Sequence, residues 1–317
     1  MSDNLKVLII GAGNMSIEYS KVLKAQNLKA IVIGRGETSA KKFEELTGIP
    51  VLIGGVDNGL GEIESLPSHA IVAVNVEQLM VTAMSLLNKG IKNILLEKPA
   101  GMNKEEVKKI AKLAQEKNAN VYVAYNRRYY ASVSKALEII QEDGGVSSFN
   151  FEFTEWSHTI RPLEKAEGVK EAWFLANSTH VVDLAFFLGG KPKELCSFVQ
   201  GGIDWHPNGC IYAGAGRTEE NVLFSYQANW EAPGRWYVEI LTNQHRLYFK
   251  PMEQLQIQNI GSVRVDPVEI DDAYDLEFKP GLFHMVEEFL NNKPSSKRIT
   301  IQEQLENMDI YDKIEGN

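Results

Sequence analysis

The sequence has little cysteine and no long apolar run. Cys196 and Cys210 stand in no Cys-x-x-Cys pair and in no other metal-ligand spacing. Isolated thiols are typical of a reduced protein, so we expect a cytoplasmic location. Since no apolar run approaches the ~20 residues of a membrane span, and Met1–Lys6 lacks the basic and apolar regions of a signal peptide, we expect no membrane partner.

The chain also lacks the excess of basic residues that a nucleic-acid partner requires. Lysine and arginine total 33 against 42 aspartates and glutamates, which gives a formal net charge of -9. A surface of that sign disfavours binding to phosphate backbones. The histidines and cysteines form no metal-ligand spacing, so we expect no metal site. At 317 residues the chain exceeds one ordinary core, and we expect two domains.

Short apolar runs alternate with helical patterns over residues 1–124. Repeated strand–helix units of this kind predict a parallel sheet covered on both faces, a Rossmann-type doubly wound α/β domain. The predicted strands are Lys6–Ile10, Lys29–Ile33, His69–Val74, Asn93–Leu96 and Asn120–Tyr125, and the predicted helices are Met15–Gln26, Ser39–Leu46, Glu77–Lys89 and Lys104–Lys117.

Residues 125–317 have a different pattern, dominated by β-branched and aromatic segments without crossover helices. The pattern predicts an α+β domain with a large, mostly antiparallel open sheet for substrate binding and oligomerisation. An open sheet with one uncovered face needs a partner, so we expect a homodimer or homotetramer. The predicted strands are Ser148–Glu155, Glu194–Gln200, Gly209–Ala215, Asn221–Trp230, Trp236–Leu241 and Gln244–Phe249, with helices at Ser132–Gln141, Asn177–Leu188 and Gly281–Asn291.

A glycine-rich turn follows the first predicted strand and opens the first helix. Gly11-Ala12-Gly13-Asn14-Met15-Ser16 occupies the position of a Gly-x-Gly-x-x-Gly dinucleotide fingerprint. Gly11 permits the tight turn, and Gly13 lets the backbone approach a pyrophosphate at the helix N-terminus. We expect Gly11, Gly13, Asn14 and Met15 to contact the cofactor. Ser16 replaces the third glycine and adds little bulk.

The end of the second strand distinguishes NADP from NAD. NAD enzymes usually place a carboxylate there for the ribose hydroxyls. This sequence has Arg35 instead, followed by Thr38 and Ser39, and these groups can bind a 2′-phosphate. We therefore favour NADP, with Arg35 and Ser39 as contacts. The alternative is NAD, with Arg35 as a solvated loop residue and Ser39 as a helix cap.

The tripeptide Glu97-Lys98-Pro99 directly follows the strand Asn93–Leu96. Ligands of open α/β sheets bind beyond the carboxyl ends of the strands, so the tripeptide lies at the expected site. Lys98 can stabilise a developing alkoxide, and a cis Pro99 would set its direction. Glu97, together with Asn75 after the strand His69–Val74, completes our set of expected cofactor contacts. The alternative is a surface ion pair ahead of a helix.

With these motifs the chain resembles the glucose–fructose oxidoreductase and inositol dehydrogenase family. The resemblance covers about residues 6 to 190 and includes two further motifs, Asn126-Arg127-Arg128-Tyr129 and His180-Val181-Val182-Asp183. It implies an NAD(P)-dependent oxidoreductase acting on sugars, polyols or related compounds. Family members often carry an aspartate four residues before the histidine, where this chain has Ala176.

The departure at Ala176 leaves His180 as the candidate proton carrier. His180 would act as general base in oxidation or general acid in reduction, and Lys98 would stabilise the oxygen. Asn177, three residues earlier, can orient a hydroxyl. Caps at residues 177–179 would put His180 in the first turn of a helix, whose dipole favours neutral imidazole, whereas Asp183 would favour the charged form. His180 in a purely structural role is the alternative.

We expect the substrate to be a small sugar, polyol or nucleotide sugar that contacts Asn177, Arg127 and Asp183. Arg127 or Arg128 can bind an anionic group, although at least one of them is expected to form a structural ion pair. Two alternatives share the fold: a cofactor-binding sensor that has lost catalysis, and a glycosidase that oxidises its sugar transiently. The departures at Ala176 and Ser16 favour the sensor, while Lys98 and His180 favour the enzyme.

Overall fold

The computed structural model describes residues 5–291 and 295–316 and divides the chain into two compact units. One unit extends to Asn126 and includes Leu276–Glu306, while the other comprises Arg127–Asp275 and the residues from Asn307 onward. This differs from a single boundary at residue 124, because the chain returns to the first unit after the second sheet is complete. Residues 1–4, on which the signal-peptide prediction partly rests, lie outside the described part.

Four helices of the first domain follow the predicted segments to within two residues at each end, whereas the short helix Val56–Gly61 was not predicted. Gly48 adopts the left-handed conformation (φ 72°) that ends a helix, as expected from the sequence. The α-helices, in chain order, are α1 (Asn14–Ala25), α2 (Glu37–Thr47), α3 (Val56–Gly61), α4 (Leu79–Asn88), α5 (Lys104–Glu116), α6 (Ala131–Glu142), α7 (Ser157–Ile160), α8 (Thr179–Gly189), α9 (Ala273–Glu277), α10 (Leu282–Asn291) and α11 (Ile301–Glu315).

The strands fall into two sheets. The strands, in chain order, are β1 (Lys6–Ile10), β2 (Lys29–Ile33), β3 (Val51–Leu52), β4 (His69–Val72), β5 (Asn93–Glu97), β6 (Asn120–Ala124), β7 (Ser148–Glu152), β8 (Pro192–Gln200), β9 (Ile211–Thr218), β10 (Leu223–Asn229), β11 (Tyr237–Leu241), β12 (His245–Phe249), β13 (Gln256–Asn259), β14 (Val265–Pro267) and β15 (Ile299–Thr300).

The first unit contains a parallel sheet with strand order β3-β2-β1-β4-β5-β6, and β15 pairs antiparallel with β6 at its edge. This is the order of a dinucleotide-binding doubly wound sheet, which confirms the predicted Rossmann domain. β1 is buried at four of its five positions, as its continuous aliphatic sequence requires in a sheet covered on both faces. The order reverses between β1 and β4, where ligands of such sheets bind.

The second unit contains an eight-stranded sheet, mostly antiparallel, which confirms the predicted α+β class. β7 and β10 form its parallel pair, and the remaining neighbours run antiparallel. Helix α8 packs on one face, where the Phe186 ring contacts Phe149 and Phe151. On the opposite face of β8 and β10, Phe198 and Leu223 are 69% and 63% exposed.

A π-helical turn, Phe174–Ser178, leads directly into α8. The sequence pattern instead predicts a capped helix start at residues 177–179. Ser178 has helical dihedral angles and makes no side-chain capping bond. The dipole argument for His180 is therefore wrong in its premise, because the α8 N–H groups follow a preceding helical turn rather than an exposed terminus.

Among the described residues, no helix combines the length and apolar character that crossing a membrane requires.

Candidate functional site

A cavity of about 430 Å³ opens at the carboxyl ends of β1, β2 and β4 in the first unit. Its position at the reversal of strand order matches the ligand-binding crevice of doubly wound sheets. Several predicted cofactor residues line it, including Asn75. The lining comprises Ile10, Gly11, Ala12, Gly13, Ile33, Gly34, Arg35, Gly36, Ser39, Gly55, Val56, Ala73, Val74, Asn75, Gln78, Val81 and Thr82.

The two glycines of the first turn have different structural roles. Gly11 has φ +113°, and a Cβ there would come within 2.3 Å of the Ala73 carbonyl oxygen. Both the backbone conformation and the neighbouring strand therefore require glycine. A Cβ on Gly13 would meet nothing within 4 Å, since this residue faces open space. Its lack of a side chain leaves room for a ligand to approach the backbone.

The N-terminus of α1 borders this cavity. Gly13 is the N-cap residue, and no side chain caps the first N–H groups. Unpaired amides at the positive end of a helix dipole bind phosphate, so this turn fits the pyrophosphate of a dinucleotide. Ser16 is buried, and its hydroxyl lies 3.5 Å from the Ala73 carbonyl oxygen. The serine thus fits where the fingerprint has its third glycine.

Arg35 and Ser39 line the same cavity at the end of β2 and the start of α2. Arg35 is exposed, and its guanidinium forms no ion pair with another described residue. Ser39 Oγ donates to the Gly36 carbonyl at 3.1 Å, a contact that leaves its oxygen able to accept or exchange partners. Of the acidic side chains in the described part, none lines the cavity, so the pocket carries a positive charge at this end.

Three predicted cofactor residues are not part of the cavity lining. Asn14 and Met15 form the first turn of α1 but are not among the described lining residues. Glu97 ends β5 and is likewise outside the lining. Its carboxylate accepts a hydrogen bond of 2.7 Å from the buried Tyr19 hydroxyl of α1. The structure thus gives Glu97 a partner that sequence reasoning did not identify.

Lys98 occupies the turn after β5, and the Lys98–Pro99 peptide bond is cis. Gln304 of α11, fully buried, donates to the Pro99 carbonyl at 3.1 Å and to the Tyr125 hydroxyl oxygen at 3.3 Å. The residues on either side of Lys98 are therefore both held by buried side chains of the first unit.

In the second unit, His180 lies at the second position of α8, next to the π-helical turn. Its ring centroid is 6.3 Å from that of Trp236, a buried residue next to β11. π-helical turns are rare and often occur at functional sites. They displace side chains relative to a regular helix. The relative positions of the Asn177 and His180 side chains therefore depend on this turn rather than on an ideal i, i+3 spacing.

Glu155 is a site residue that sequence reasoning missed. Its side chain is only 1% exposed. It accepts hydrogen bonds from Asn177 Nδ2, at 2.9 and 3.1 Å to its two oxygens, and from Ser178 Oγ at 2.8 Å. Because the amide nitrogen of Asn177 donates to Glu155, its carbonyl oxygen is turned away as an acceptor. A carboxylate just beyond a strand and beside Trp156 is the sequence signal that indicates this role.

Two arginines lie against the Trp236 indole. The guanidinium carbon of Arg235 is 4.4 Å from the ring centroid and that of Arg127 is 4.9 Å away. Arg235 Nη1 reaches Glu155 at 3.5 Å, whereas Arg127 forms no ion pair with another described residue. Its Nε and the Trp236 Nε1 are both buried without a hydrogen-bond partner among the described groups. Burial lowers the pKa of Arg127, as expected for a cation removed from water.

Arg128 and Asp183 form a buried bidentate ion pair. Arg128 Nε and Nη2 donate to the two Asp183 oxygens at 2.8 and 2.6 Å. Asp183 was expected to contact substrate, but its side chain is 1% exposed and both oxygens bind Arg128. We therefore reassign Asp183 from a substrate contact to the ion-pair partner that fixes Arg128 against α8. This pair supplies the structural ion pair expected for one of the two arginines.

Residues 5–125 match the model of an oxidoreductase family with an NAD-binding Rossmann fold. The match contains the glycine-rich turn and the Glu97-Lys98-Pro99 tripeptide. It confirms the family resemblance drawn from those motifs. No curated protein matches the sequence.

Solved structures with the same fold cover nearly the whole chain. A levoglucosan dehydrogenase in complex with NADH and L-sorbose has 18% identity and a TM-score of 0.78, over 98% of this chain and 95% of that one. A UDP-N-acetylglucosamine 3-dehydrogenase from Acidithiobacillus ferrooxidans has 14% identity and a TM-score of 0.76, over 99% and 97%. A dehydrogenase from Clostridium difficile has 17% identity and a TM-score of 0.79, over 98% of each chain. At these identities the comparison establishes the fold.

Proposed function

We propose that the protein is an NAD(P)-dependent dehydrogenase or reductase acting on CH–OH groups, because residues 5–125 match the model of an oxidoreductase family with an NAD-binding Rossmann fold. Its substrate is a sugar, polyol or nucleotide sugar. The observation that carries the proposal is the cavity at the strand reversal, where Gly11 cannot be replaced without a clash and Gly13 leaves the helix N-terminus open. When bound, the nicotinamide supplies or accepts the hydride.

NADP is the cofactor we propose, with NAD as the alternative. Arg35, which has no ion-pair partner among the described residues, lines the cavity at the position where a 2′-phosphate is bound in such folds. A bidentate guanidinium–phosphate contact is a strong, directional interaction. Ser39 would add a hydroxyl, and the α1 N-terminus would hold the pyrophosphate.

Lys98 and His180 are the proposed catalytic residues. The Lys98 ammonium stabilises negative charge on the substrate oxygen, and His180 accepts the hydroxyl proton in oxidation or returns it in reduction. Ala176 can do neither, so proton transfer depends on the imidazole. Glu155 accepts hydrogen bonds from Asn177 and Ser178, so its proposed role is to position these two side chains rather than to exchange a proton with the substrate.

Asn177 and Arg127 are the proposed substrate contacts. The Asn177 carbonyl oxygen is held as an acceptor for a substrate hydroxyl, because Glu155 fixes the orientation of the amide. Arg127 lacks an ion-pair partner among the described residues and offers a guanidinium to a hydroxyl or an anionic group. The likeness to a levoglucosan dehydrogenase and to a nucleotide-sugar dehydrogenase supports a carbohydrate substrate.

A substrate screen tests this function. Purified protein with NADP⁺ or NAD⁺ is offered sugars, polyols and nucleotide sugars, and reduced nicotinamide is followed by absorbance. We expect turnover that falls at least about a hundredfold in Lys98→Met and His180→Ala, both of which retain cofactor binding. Cofactor binding without turnover of any alcohol with NADP⁺ or NAD⁺, or of any ketone with NADPH or NADH, would instead support a sensor, and hydrolysis of a glycoside would support the glycosidase alternative.

We also propose a cytoplasmic homodimer or homotetramer formed through the open face of the second sheet. Phe198 and Leu223 expose apolar area on that face, and no described segment covers them. Sedimentation of the wild type and of a Phe198→Glu, Leu223→Glu variant tests the assembly. A shift of the variant to a monomer is expected, whereas a monomeric wild type would contradict the proposal.

A further inference from the structure

The hydrogen bond between Tyr19 and Glu97 joins the first helix of the cofactor domain to the residue before Lys98. Tyr19 is fully buried in the middle of α1, and its hydroxyl donates to Glu97 Oε1 at 2.7 Å. Burial and the neighbouring carboxylate raise the pKa of Tyr19 well above its ordinary value. The phenol therefore keeps its proton and remains a donor throughout the range in which the protein works.

Burial and the charges of Lys98 and Lys279 all act on the pKa of the Glu97 carboxylate. Burial raises the pKa of Glu97, while the Tyr19 hydrogen bond and the charges of Lys98 and Lys279 act in the opposite direction. Removing the Tyr19 hydroxyl would leave the half-buried Glu97 carboxylate with one donor fewer, which favours its protonated form. Lys98 would then lose a negative charge at its immediate neighbour.

A second buried side chain holds the other side of the same turn. Gln304 Nε2 donates to the Pro99 carbonyl, and Gln304 is completely buried. Lys98 is thus flanked by two residues whose positions are set from within the first unit, Glu97 by Tyr19 and Pro99 by Gln304. Holding both neighbours fixes the backbone from which the Lys98 side chain extends, and a preorganised backbone lowers the cost of stabilising an oxyanion.

We propose that Tyr19 and Gln304 are positioning residues for Lys98. The Tyr19 hydrogen bond favours the ionised form of Glu97 next to the lysine and fixes the turn from the side of α1, and Gln304 fixes the turn from the side of α11. The role assigned to Lys98 rests on the proposed function. Tyr19 lies on the helix that begins at the dinucleotide turn, so its hydrogen bond also joins that helix to Glu97, the residue before Lys98.

The rate at which cyanate carbamylates Lys98 reports how readily the lysine loses its proton. Measuring that rate by peptide mass spectrometry over a pH series tests the positioning role of Tyr19 without substrate or cofactor. In Tyr19→Phe we expect the plot of Lys98 carbamylation rate against pH to move to lower pH by about half a unit, because the lysine loses a neighbouring negative charge. At a given pH, Lys98 would then react about threefold faster. Glu97→Gln keeps an acceptor for Tyr19, removes the charge and should move the curve in the same direction. Tyr122→Phe is the matched control, because the Tyr122 hydroxyl has no hydrogen bond to a described residue.

Kinetics provide the second readout once a substrate is known. Tyr19→Phe and Gln304→Leu should lower kcat about tenfold with unchanged cofactor affinity, since the lost alignment affects the transition state. Wild-type reactivity curves in both Tyr19→Phe and Glu97→Gln would overturn the proposal, even if the melting temperatures fall. Failure of the proposed function would appear separately, as absent turnover in the wild type beside an intact Lys98 shift.

Discussion

The side-chain amide of Asn177 donates to both carboxylate oxygens of Glu155, at 2.9 and 3.1 Å. The two residues lie far apart in sequence and are brought together by the loop after β7 and the π-helical turn before α8. A carboxylate can only accept here, so the amide nitrogen must face Glu155 and the amide oxygen must face away. Glu155 thereby determines what Asn177 can offer a ligand.

Replacing Glu155 with glutamine tests this orientation. The new amide can present its own N–H groups to Asn177 and Ser178, which removes the requirement for one Asn177 orientation. We expect kcat/KM to fall about tenfold, the cost of roughly one hydrogen bond, with unchanged NADPH affinity. Glu152→Gln, in the same strand region, is the control. An unchanged kcat/KM in Glu155→Gln would show that Asn177 does not contact the substrate.

A pair of alanine substitutions in the dinucleotide turn separates folding from binding. Gly11→Ala forces a Cβ against the Ala73 carbonyl and strains a φ of +113°, so we expect the free energy of unfolding to fall by about 2 kcal/mol. Gly13→Ala meets no neighbour, so its melting temperature should stay near wild type while NADPH affinity falls. Thermal melts and NADPH titrations measure both effects. Equal losses of stability in the two variants would contradict this assignment.

Arg35→Ala tests the cofactor preference. Loss of a charge-assisted contact to the 2′-phosphate should weaken NADPH binding by about 2 kcal/mol, more than tenfold, and leave NADH binding unchanged. Lys42→Ala, an exposed change on the same helix α2, controls for general electrostatic attraction. Parallel weakening of NADPH and NADH binding in Arg35→Ala would place the residue away from the 2′-position.

The Arg128–Asp183 pair predicts a stability effect that is independent of the substrate. Asp183→Asn leaves a buried guanidinium without its counter-charge, and we expect a loss of about 3 kcal/mol in the free energy of unfolding. Asp266→Asn removes the partner of an exposed arginine, Arg264, and serves as the control with an expected loss below about 1 kcal/mol. Denaturant unfolding measures both. A similar, small loss in the two variants would show that burial of the pair adds little.

Glu315 near the end of α11 predicts a pH dependence. Burial, and secondarily the charge of Asp312, raise its pKa to about 7. At pH values between the unfolded pKa and about 7, the folded state therefore keeps a proton on Glu315 that the unfolded state has released. The stabilisation by this proton is complete below the unfolded pKa of about 4.3 and is lost as the pH rises through about 7.

Glu315→Gln should remove this dependence. At pH 8 the variant should be about 2 kcal/mol more stable than wild type, and the difference should vanish towards pH 4. Urea denaturation at several pH values checks this, with the exposed Glu64→Gln as control. A variant less stable than wild type at pH 8 would show that the Glu315 carboxylate is stabilised when ionised.

Local patterns predicted the first domain well. β1 and β2 have the predicted bounds, because buried parallel strands are continuous aliphatic runs between turn signals. The strand β3 was missed, since two residues are too short to show a period. The return of Leu276–Glu306 to the first unit was missed as well, because the pairing of β15 with β6 joins residues far apart in sequence.

The candidate site was predicted where motifs encode it and missed where packing creates it. Gly11, Arg35 and Lys98 lie within two residues of strand ends, so their positions follow from the alternation of strands and helices. Glu155, Tyr19 and Gln304 act through side-chain contacts over long sequence separations, which no local pattern reveals. Ser178 resembled a helix cap, but its hydroxyl donates to Glu155 and the residue lies within a continuous helical segment. The prediction of a capped helix start at residues 177–179 was therefore wrong.

An equilibrium titration of the purified protein with NADPH and NADH, followed by nicotinamide fluorescence, tests the central claim most directly. The account predicts saturable binding of one dinucleotide per chain, tighter for NADPH than for NADH, and weakened in Gly13→Ala. Binding of neither dinucleotide would contradict the assignment of the strand-reversal cavity as a cofactor site and, with it, the proposed oxidoreductase activity.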